Sequence, residues 1–300
     1  MSRYQFIDEQ RVHYPIRRLC RVLDVVPSRY YAWCQRPVPG AVGGAEPAWE
    51  TVLVQVFRHH RRRYGTRRLR VDLHAQGHCV GRQALRTAMR RRGLVALQPK
   101  AYVPRTTDST HGLRCAPNRL LDQPPPTQAN RVWVSDITYL PLANGDWAYL
   151  AAFQDVCTKH VVGWQVRADM PEELVLSALR RALGVQQPAA GLVVHSDRGG
   201  QYCGKAYRAL LHQHGGLRSQ SRRAECYDNA QAESRWSRLK TEVLELREWP
   251  VFADLADAQQ SVTEYFNYYN HERLHSSIGY QYPYHFHQQT LTNNTLNCPA

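Results

Sequence analysis

The ten residues from Arg131 to Leu140, RVWVSDITYL, decide the fold of this chain. β-Branched and aromatic side chains dominate the segment, which predicts a strand. Asp136 stands in the middle of it. A carboxylate at such a position is costly unless it meets a cation or strong hydrogen-bond donors. The segment is therefore expected to be a strand that carries a polar group with a specific partner.

The residues that follow continue a sheet. Asn144-Gly145-Asp146 is a hairpin signal, and strands are expected over 147–156 and 160–166. A leucine stripe predicts a helix over 170–184, and 191–196 reads as a short buried strand. Three antiparallel strands followed by helix, strand and helix are the layout of an RNase H-like α/β layer. We expect an α/β protein whose RNase H-like catalytic core has a mixed five-stranded sheet with flanking helices, preceded by small all-α helix-turn-helix modules.

Two segments rich in proline and glycine divide the chain, PVPGAVGGAEP at 37–47 and a stretch within 104–130. Such segments are unsuited to the interior of helices and strands. We expect five parts. They are a helical, helix-turn-helix-like head (1–37), a basic helix-turn-helix DNA-binding domain (46–103), a Pro-rich linker (104–130), an RNase H-like core (131–250) and a C-terminal helical extension (251–300).

Charge is distributed unevenly along the 300 residues. The formal net charge is +14, and residues 1–120 carry 23 Lys and Arg against 7 Asp and Glu. The remaining residues carry 16 against 18. A concentrated basic region predicts a polyanionic partner, most often nucleic acid. The N-terminal part is therefore the expected contact surface for that partner.

The basic module is expected to contain three helices, of which the third runs from Gly81 to Arg92. Arg82, Arg86 and Arg90 recur every four residues and so share one face of that helix. Such a helix can lie in a major groove with its arginines at phosphates and base edges. A solvated basic face without a partner remains the alternative. For the head, a helix-turn-helix and a helical hairpin that merely packs both remain open.

Three carboxylates stand at informative places. Asp197 directly follows the short strand that ends in His195-Ser196, at the edge where ligand sites of α/β proteins gather. Glu233 lies on a helix expected from 228 to 246. Together with Asp136, these groups can converge on Mg²⁺ ions, which prefer several carboxylate oxygens. His195 is expected to pack or to donate a hydrogen bond at the strand end.

The residues around these carboxylates show two further features. Gly199 and Gly200 permit a tight turn next to Asp197. Asn229, Glu233 and Lys240 are spaced by four and seven residues and so lie along one helical face. A lysine two turns from a metal-binding glutamate can reach a phosphate beside a scissile bond. An ordinary solvent-exposed Glu–Lys face remains the alternative.

Three motifs resemble those of the second-frame (OrfB) transposases of insertion-sequence family three: SDITY (135–139), HSDRGGQY (195–202) and YDNA…E…LKTE (227–242). These enzymes belong to the retroviral-integrase-like DDE superfamily. YNHERLHS (269–276) resembles their C-terminal signature, and YGTRRL (64–69) their upstream helix-turn-helix segment. Thirty-five residues separate Asp197 from Glu233, which is the integrase-type spacing. The chain departs from the family pattern at Ala224-Glu225 and at Arg235-Trp236.

This resemblance implies a transposase that cuts DNA at insertion-sequence ends and joins the freed 3′-OH to target DNA. It implies Asp136, Asp197 and Glu233 as catalytic metal ligands for two Mg²⁺ ions, with Mn²⁺ as a substitute. Lys240 is implied as a DNA contact near the cut. The full set of expected DNA contacts is Arg67, Arg68, Arg82, Arg86, Arg90, Asn229, Lys240 and Arg273.

The expected partners are double-stranded DNA, as terminal repeats and as target, and further copies of the chain in a multimer. A first-frame protein with a helix-turn-helix and a leucine zipper is a further implied partner, since no heptad pattern occurs here. Eight scattered cysteines without a CxxC pair suit a reducing compartment. With no signal-like or membrane-spanning segment, we expect a cytoplasmic, nucleoid-associated bacterial protein.

Two other functions remain open from the sequence. One is a sequence-specific DNA-binding regulator whose nuclease fold is inactive. The other is an RNase H or resolvase-type nuclease that uses the same metal chemistry. Metal-dependent nicking would separate the first from a transposase, and strand-transfer products would separate the second.

Overall fold

The structure is a computed structural model that describes residues 2–35, 47–98, 115–222 and 230–296, with side chains described up to 292 and not described from 230 to 233. Contacts divide the chain into two compact units, Met1–Thr51 and Val52–Ala300. The division into five parts stays a prediction. The two units are described separately below.

The first unit contains three short helices: α1 (Arg3–Gln10), α2 (Ile16–Val22) and α3 (Pro27–Cys34). Their buried side chains are Ile7, Cys20 and Tyr30, one from each helix. The Tyr30 hydroxyl donates a hydrogen bond to Asp8 at 3.0 Å. The two helices expected in the head are thus α2 and α3, and α1 completes a small core that two helices alone would leave open.

The basic module forms the three helices that its sequence predicts: α4 (Ala48–His59), α5 (Thr66–Ala75) and α6 (Arg82–Arg91). Leu69 and Leu73 of α5 are fully buried, as are Leu85 and Met89 of α6. These apolar positions recur at spacings of four, which places them on the inner face of each helix. The charged residues between them are left on the outer face.

Five strands form one mixed sheet: β1 (Val132–Pro141), β2 (Trp147–Asp155), β3 (Val161–Arg167), β4 (Val193–Ser196) and β5 (Leu217–Gln220). Their order across the sheet is β3-β2-β1-β4-β5. β2 is antiparallel to β1 and β3, whereas β4 runs parallel to β1 and β5. The predicted mixed five-stranded sheet is confirmed.

Helices cover both faces of this sheet: α7 (Glu172–Gln186), α8 (Gly200–Cys203), α9 (Lys205–Gln213), α10 (Ala230–Leu244), α11 (Leu255–His271) and α12 (Pro283–Leu296). One core lies between the sheet and α7, α8 and α9. The other lies between the sheet and α10 and α11. β1 is central and is buried on both faces, which explains why its sequence is a nearly continuous run of apolar residues.

The described part of the Pro-rich segment, from residue 115 onward, lies along the β5 edge of the sheet. The backbone N–H of Ala116 donates to Gln220 Oε1 at 2.8 Å, and that of Arg119 donates to Ser219 Oγ at 2.9 Å. An uncovered edge strand offers unpaired backbone groups to other chains. This segment therefore protects the edge of the sheet.

Among the described residues, no helix has the length and apolar character to cross a membrane.

Buried histidines hold α12 against the core. The ring of His160 packs against Tyr284 and His287 of α12. His287 bonds Thr158 Oγ1 at 2.9 Å and Gln186 Oε1 at 2.8 Å through its two ring nitrogens. Burial lowers the pKa of His160 to about 3, so the ring is neutral in the folded protein at neutral pH.

Stability is expected to fall with acid because of His160. Its folded pKa lies below the ordinary value of 6.5, so the stabilisation is complete above pH 6.5 and is lost progressively as pH falls towards 3. Replacing His160→Phe should reduce the slope of unfolding free energy against pH between 4 and 6 by about 1.4 kcal/mol per pH unit. Urea titrations at several pH values measure this slope. His212→Phe, at an exposed position of α9, is the matched control and should keep the wild-type slope.

Candidate active site at the ends of two parallel strands

The parallel pairing of β1 with β4 brings two of the expected carboxylates together. Val134 pairs with His195; Asp136 lies two residues further along β1, and Asp197 lies two residues after His195, directly past the end of β4. Adjacent strands run about 4.8 Å apart, so a continued register makes the two positions neighbours. The charge of Asp197 acts on Asp136, which agrees with this placement. One strand pairing thus brings Asp136 close to Asp197, which is 61 positions further along the sequence.

Asp136 lies in an environment that resists its ionisation. Its side chain is half-buried on the face of β1 that also carries Leu140, where α10 and α11 pack. Burial, together with the charge of Asp197, raises the pKa of Asp136 to about 7. The indole N–H of Trp236 donates a hydrogen bond to Asp136 Oδ2 at 2.9 Å and opposes this rise. The strong donor that the sequence required for a mid-strand carboxylate is therefore Trp236.

Asp197 organises the turn that follows β4. Its Oδ1 accepts a hydrogen bond from the backbone N–H of Gly199 at 3.0 Å, and its carbonyl accepts one from Gln220 Nε2 at 3.0 Å. A Cβ on residue 199 would lie only 3.2 Å from Asp197 Oδ1. The glycine thus allows the backbone to approach the carboxylate, as the sequence predicts.

Helix α10, which contains position 233, contacts β1 through the hydrogen bond from Trp236 to Asp136. Position 233 lies on this helix one turn before Trp236, on the same helical face, but its side chain is outside the described residues, and so is Asn229. Lys240 is half-buried on that face. Burial lowers the pKa of Lys240, and the charge of Asp136 partly offsets this. The contact between Trp236 and Asp136 therefore orders α10 against β1 beside the carboxylate pair.

Arg235 is a buried cation near Asp136. Its burial was not predicted from the sequence. Its side chain is 2% exposed, and its Nη2 donates to the carbonyl of Ala152 at 3.2 Å. Ala152 is the cross-strand neighbour of Asp136. The guanidinium lies 4.4 Å from the Trp236 ring centroid, a cation–π distance. Burial lowers the pKa of Arg235 to about 10, while its positive charge favours ionised Asp136.

The histidines have structural roles. His195 is fully buried, and its ring nitrogens bond Ser219 Oγ at 2.8 Å and Ser221 Oγ at 3.3 Å. The expected hydrogen-bonding role is confirmed. His275 is also buried, between Arg238 at 3.1 Å and Ser277 at 2.9 Å.

The expected DNA-contact arginines fall into two groups. Arg67 on α5 and Arg82, Arg86 and Arg90 on α6 are exposed. Arg273, in contrast, is 1% exposed, and its Nε donates to Glu242 Oε2 at 2.9 Å in a bidentate ion pair. The expectation that Arg273 contacts DNA is corrected, because a buried, paired guanidinium has no free face.

Arg68 is engaged in part by the catalytic core, and its role as a DNA contact stays a prediction. It is half-buried, and its Nε donates to the carbonyl of Leu274 at 2.9 Å. The sequence motif could not distinguish Arg67 from Arg68, because successive helical positions differ by 100° in direction and only packing decides which one faces inward.

A divalent cation suits the donors that converge here. Asp136 and Asp197 offer hard carboxylate oxygens, the ligand type that Mg²⁺ prefers, and a cation would relieve the repulsion that raises the pKa of Asp136. Among the side chains that the structure describes, no group of three potential metal ligands occurs; Glu233 is not one of those side chains.

The sheet order, with one carboxylate in the middle of β1, one directly after β4 and a helix against β1, defines a protein of the RNase H-like integrase class. Integrase core domain models match residues 126–226 and 218–283, and an HTH-like domain model matches 50–102.

Transposase InsF for insertion sequence IS3A of Escherichia coli (strain K12) is 33% identical over 96% of this chain and 99% of its own length. The "Insertion element IS600 uncharacterized 31 kDa protein" of Shigella sonnei is 39% identical over 87% of this chain and 94% of its own. The chain belongs to the IS3 family of transposases. It is an enzyme of the polynucleotidyl transferase type.

Solved structures of viral integrases are more distant in sequence. The intasome of simian T-cell lymphotropic virus in complex with PP2A regulatory subunit B56 gamma aligns at 13% identity with a TM-score of 0.47, over 80% of this chain and 74% of that chain. The magnesium-bound HTLV-2 integrase catalytic core domain aligns at 12% with a TM-score of 0.42, over 53% of this chain and 97% of its own.

The carboxylate pair is expected to destabilise the metal-free protein. The folded pKa of Asp136 is raised above its ordinary 3.8, so the penalty is absent below pH 3.8 and complete above pH 7. Asp136→Asn removes the charge and keeps an acceptor for Trp236, so it should raise Tm at pH 8 in EDTA by about 2–6 °C. At pH 4 the wild type and Asp136→Asn should have the same Tm. Thermal melts at both pH values test this, and a lower Tm for the variant at pH 8 would contradict it.

Proposed function

We propose that Asp136, Asp197 and Glu233 form the catalytic centre of a DNA transposase that cleaves DNA at the ends of its insertion sequence and transfers the strand to a target. The observation that carries this proposal is the parallel pairing of β1 with β4, with Asp136 on β1 and Asp197 directly after β4. Two carboxylates that destabilise each other without a cation are poor structural elements and good metal ligands.

Asp136, Asp197 and Glu233 are the residues that would hold Mg²⁺, or Mn²⁺ as its substitute. When bound, two such ions supply Lewis-acid activation of the attacking oxygen and stabilise the leaving 3′-oxygen. The chain itself orients the first carboxylate through Trp236 and places Lys240, within electrostatic reach of Asp136, where a DNA phosphate can bind. Water attacks first and frees a 3′-OH, which then attacks a second phosphodiester. One phosphodiester replaces another in that second step, so no further energy source is required.

The exposed arginines of α5 and α6 are the proposed contacts for the terminal repeats, together with Asn229 and Lys240 nearer the cut. Two ends must be brought together, so we place the active form in a multimer on DNA at the bacterial nucleoid. A first-frame helix-turn-helix and leucine-zipper protein is the proposed additional partner. These assignments follow from the family and from the basic surface of the module.

Cleavage should depend on the two described carboxylates and on a divalent cation. On labelled DNA that contains the element end, Asp136→Ala and Asp197→Ala should each lower nicking by on the order of a thousandfold while end binding is kept. Asp169→Ala, which removes an exposed aspartate after β3, is the matched control and should cleave normally. EDTA should stop the wild type. Normal cleavage by Asp136→Ala would reject the assignment, and nicking without strand-transfer products would favour a nuclease.

End binding should depend on salt through the arginines of α6. Arg86→Ala removes one expected phosphate contact, so the slope of log K against log salt concentration should become shallower by about 0.9. Arg180→Ala, which removes an exposed arginine paired with Glu173 on α7, is the control and should keep the wild-type slope. Gel-shift titrations between 50 and 200 mM salt, roughly the range over which such contacts matter, measure both. Equal slopes for all three proteins would exclude α6 from the DNA contact.

A further inference from the structure

The basic module is joined to the catalytic core by directional hydrogen bonds to backbone atoms. The hydroxyl of Tyr64 donates to the carbonyl of Glu272 at 3.0 Å and accepts from the backbone N–H of Leu274 at 2.7 Å. Arg68 Nε donates to the Leu274 carbonyl at 2.9 Å. The YGTRRL segment of the module thus binds the Glu272–Leu274 segment, which directly follows α11. We call this contact the docking interface.

Two further side chains extend the docking interface. Arg63 Nε donates to the carbonyl of Glu242 at 3.1 Å, and its guanidinium lies 4.4 Å from the Tyr268 ring centroid. His60 bonds the Tyr268 hydroxyl at 3.0 Å and stacks on Tyr64 with ring centroids 3.7 Å apart. Polar contacts of this kind are satisfied in one arrangement only, whereas apolar surfaces tolerate sliding.

A buried ion pair connects the docking interface to the helix of the active site. Glu242, at the C-terminal part of α10, is paired with Arg273 and accepts a hydrogen bond from the Tyr265 hydroxyl at 3.2 Å. Burial alone would raise the pKa of Glu242, but Arg273 holds it below its usual range. Residue 242 is nine positions beyond Glu233, which is about 13.5 Å along the helix. One rigid element therefore runs from the docking interface to the carboxylates.

We propose that the docking interface sets the distance along the DNA between the segment bound by α5 and α6 and the phosphodiester that is cut. The proposal rests on the proposed function. The exposed arginines of the module bind DNA, and Tyr64, Arg68 and Arg63 hold that bound DNA in one orientation to Asp136 and Asp197. Tyr64, Arg68 and Arg63 are positioning residues that act on where cleavage falls, without touching the reacting atoms.

The test uses the full-length protein with end-labelled element DNA and Mg²⁺, and reads the cut positions at nucleotide resolution. Tyr64→Phe removes only the hydroxyl, and Arg68→Met keeps the length of the side chain. The double variant should cleave at the main position about tenfold more slowly and spread its cuts over neighbouring positions, because a displacement of about 1 Å costs up to a hundredfold in rate. Its Kd for end DNA should stay within about threefold of the wild type, since the exposed arginines remain.

Arg86→Ala is the matched variant with the opposite expectation. It should weaken end binding and still cut at the wild-type position. Hydrogen exchange of the Leu274 amide, which donates to Tyr64, checks that Tyr64→Phe loosens the docking interface while Tm reports that the chain is folded. Faster exchange at Leu274 together with scattered cuts would support the proposal.

Two results would overturn the inference and leave the proposed function standing. The first is a wild-type cut position and rate in the double variant despite faster exchange at Leu274. The second is a loss of end binding in Arg68→Met as large as that in Arg86→Ala, which would place Arg68 on DNA. Absence of any cleavage by the wild type would instead count against the proposed function itself.

Discussion

The repulsion between Asp136 and Asp197 is the constraint around which the rest of this site is arranged. Two carboxylates on adjacent parallel strands lose stability when both are ionised, and burial of Asp136 adds to that cost. The protein compensates only in part, through the charge of buried Arg235, the indole N–H of Trp236 and a backbone hydrogen bond at Ile137. The remaining imbalance is the physical reason why the site suits a cation, because a site that the protein had neutralised fully would have no affinity left for one.

Helix α10 connects this constraint to the basic module. The middle of the helix contacts the site through Trp236, and Glu242 near its C-terminal end forms the buried pair with Arg273. Buried ion pairs contribute little net stability compared with apolar side chains of the same size, but breaking one is costly. Such pairs therefore favour one arrangement over alternatives. In this chain the pair fixes where α10 and the end of α11 meet, and the docking interface is built on that junction.

The positive charge of the N-terminal region has two separate uses. Arg67, Arg82, Arg86 and Arg90 remain in solvent, where they can neutralise phosphates. Arg63 and Arg68 donate instead to carbonyl oxygens of the catalytic core. Net charge alone would assign all of them to DNA. The planar guanidinium serves both purposes, because the same donors that bind phosphate also bind backbone oxygens.

The sequence by itself determined the mixed sheet, the antiparallel order of its first three strands and the three helices of the basic module. It also singled out Asp136 and Asp197 as candidate ligands, which stays a prediction. These features follow from local patterns: β-branched runs, helical spacing, and a charge where a strand should be apolar. The pairing of Asp136 with Trp236, the burial of Arg235 and the inward position of Arg273 depended on tertiary structure alone. A sequence shows which residues carry charge, but only packing decides which of them lose contact with water, and that loss fixes their partners.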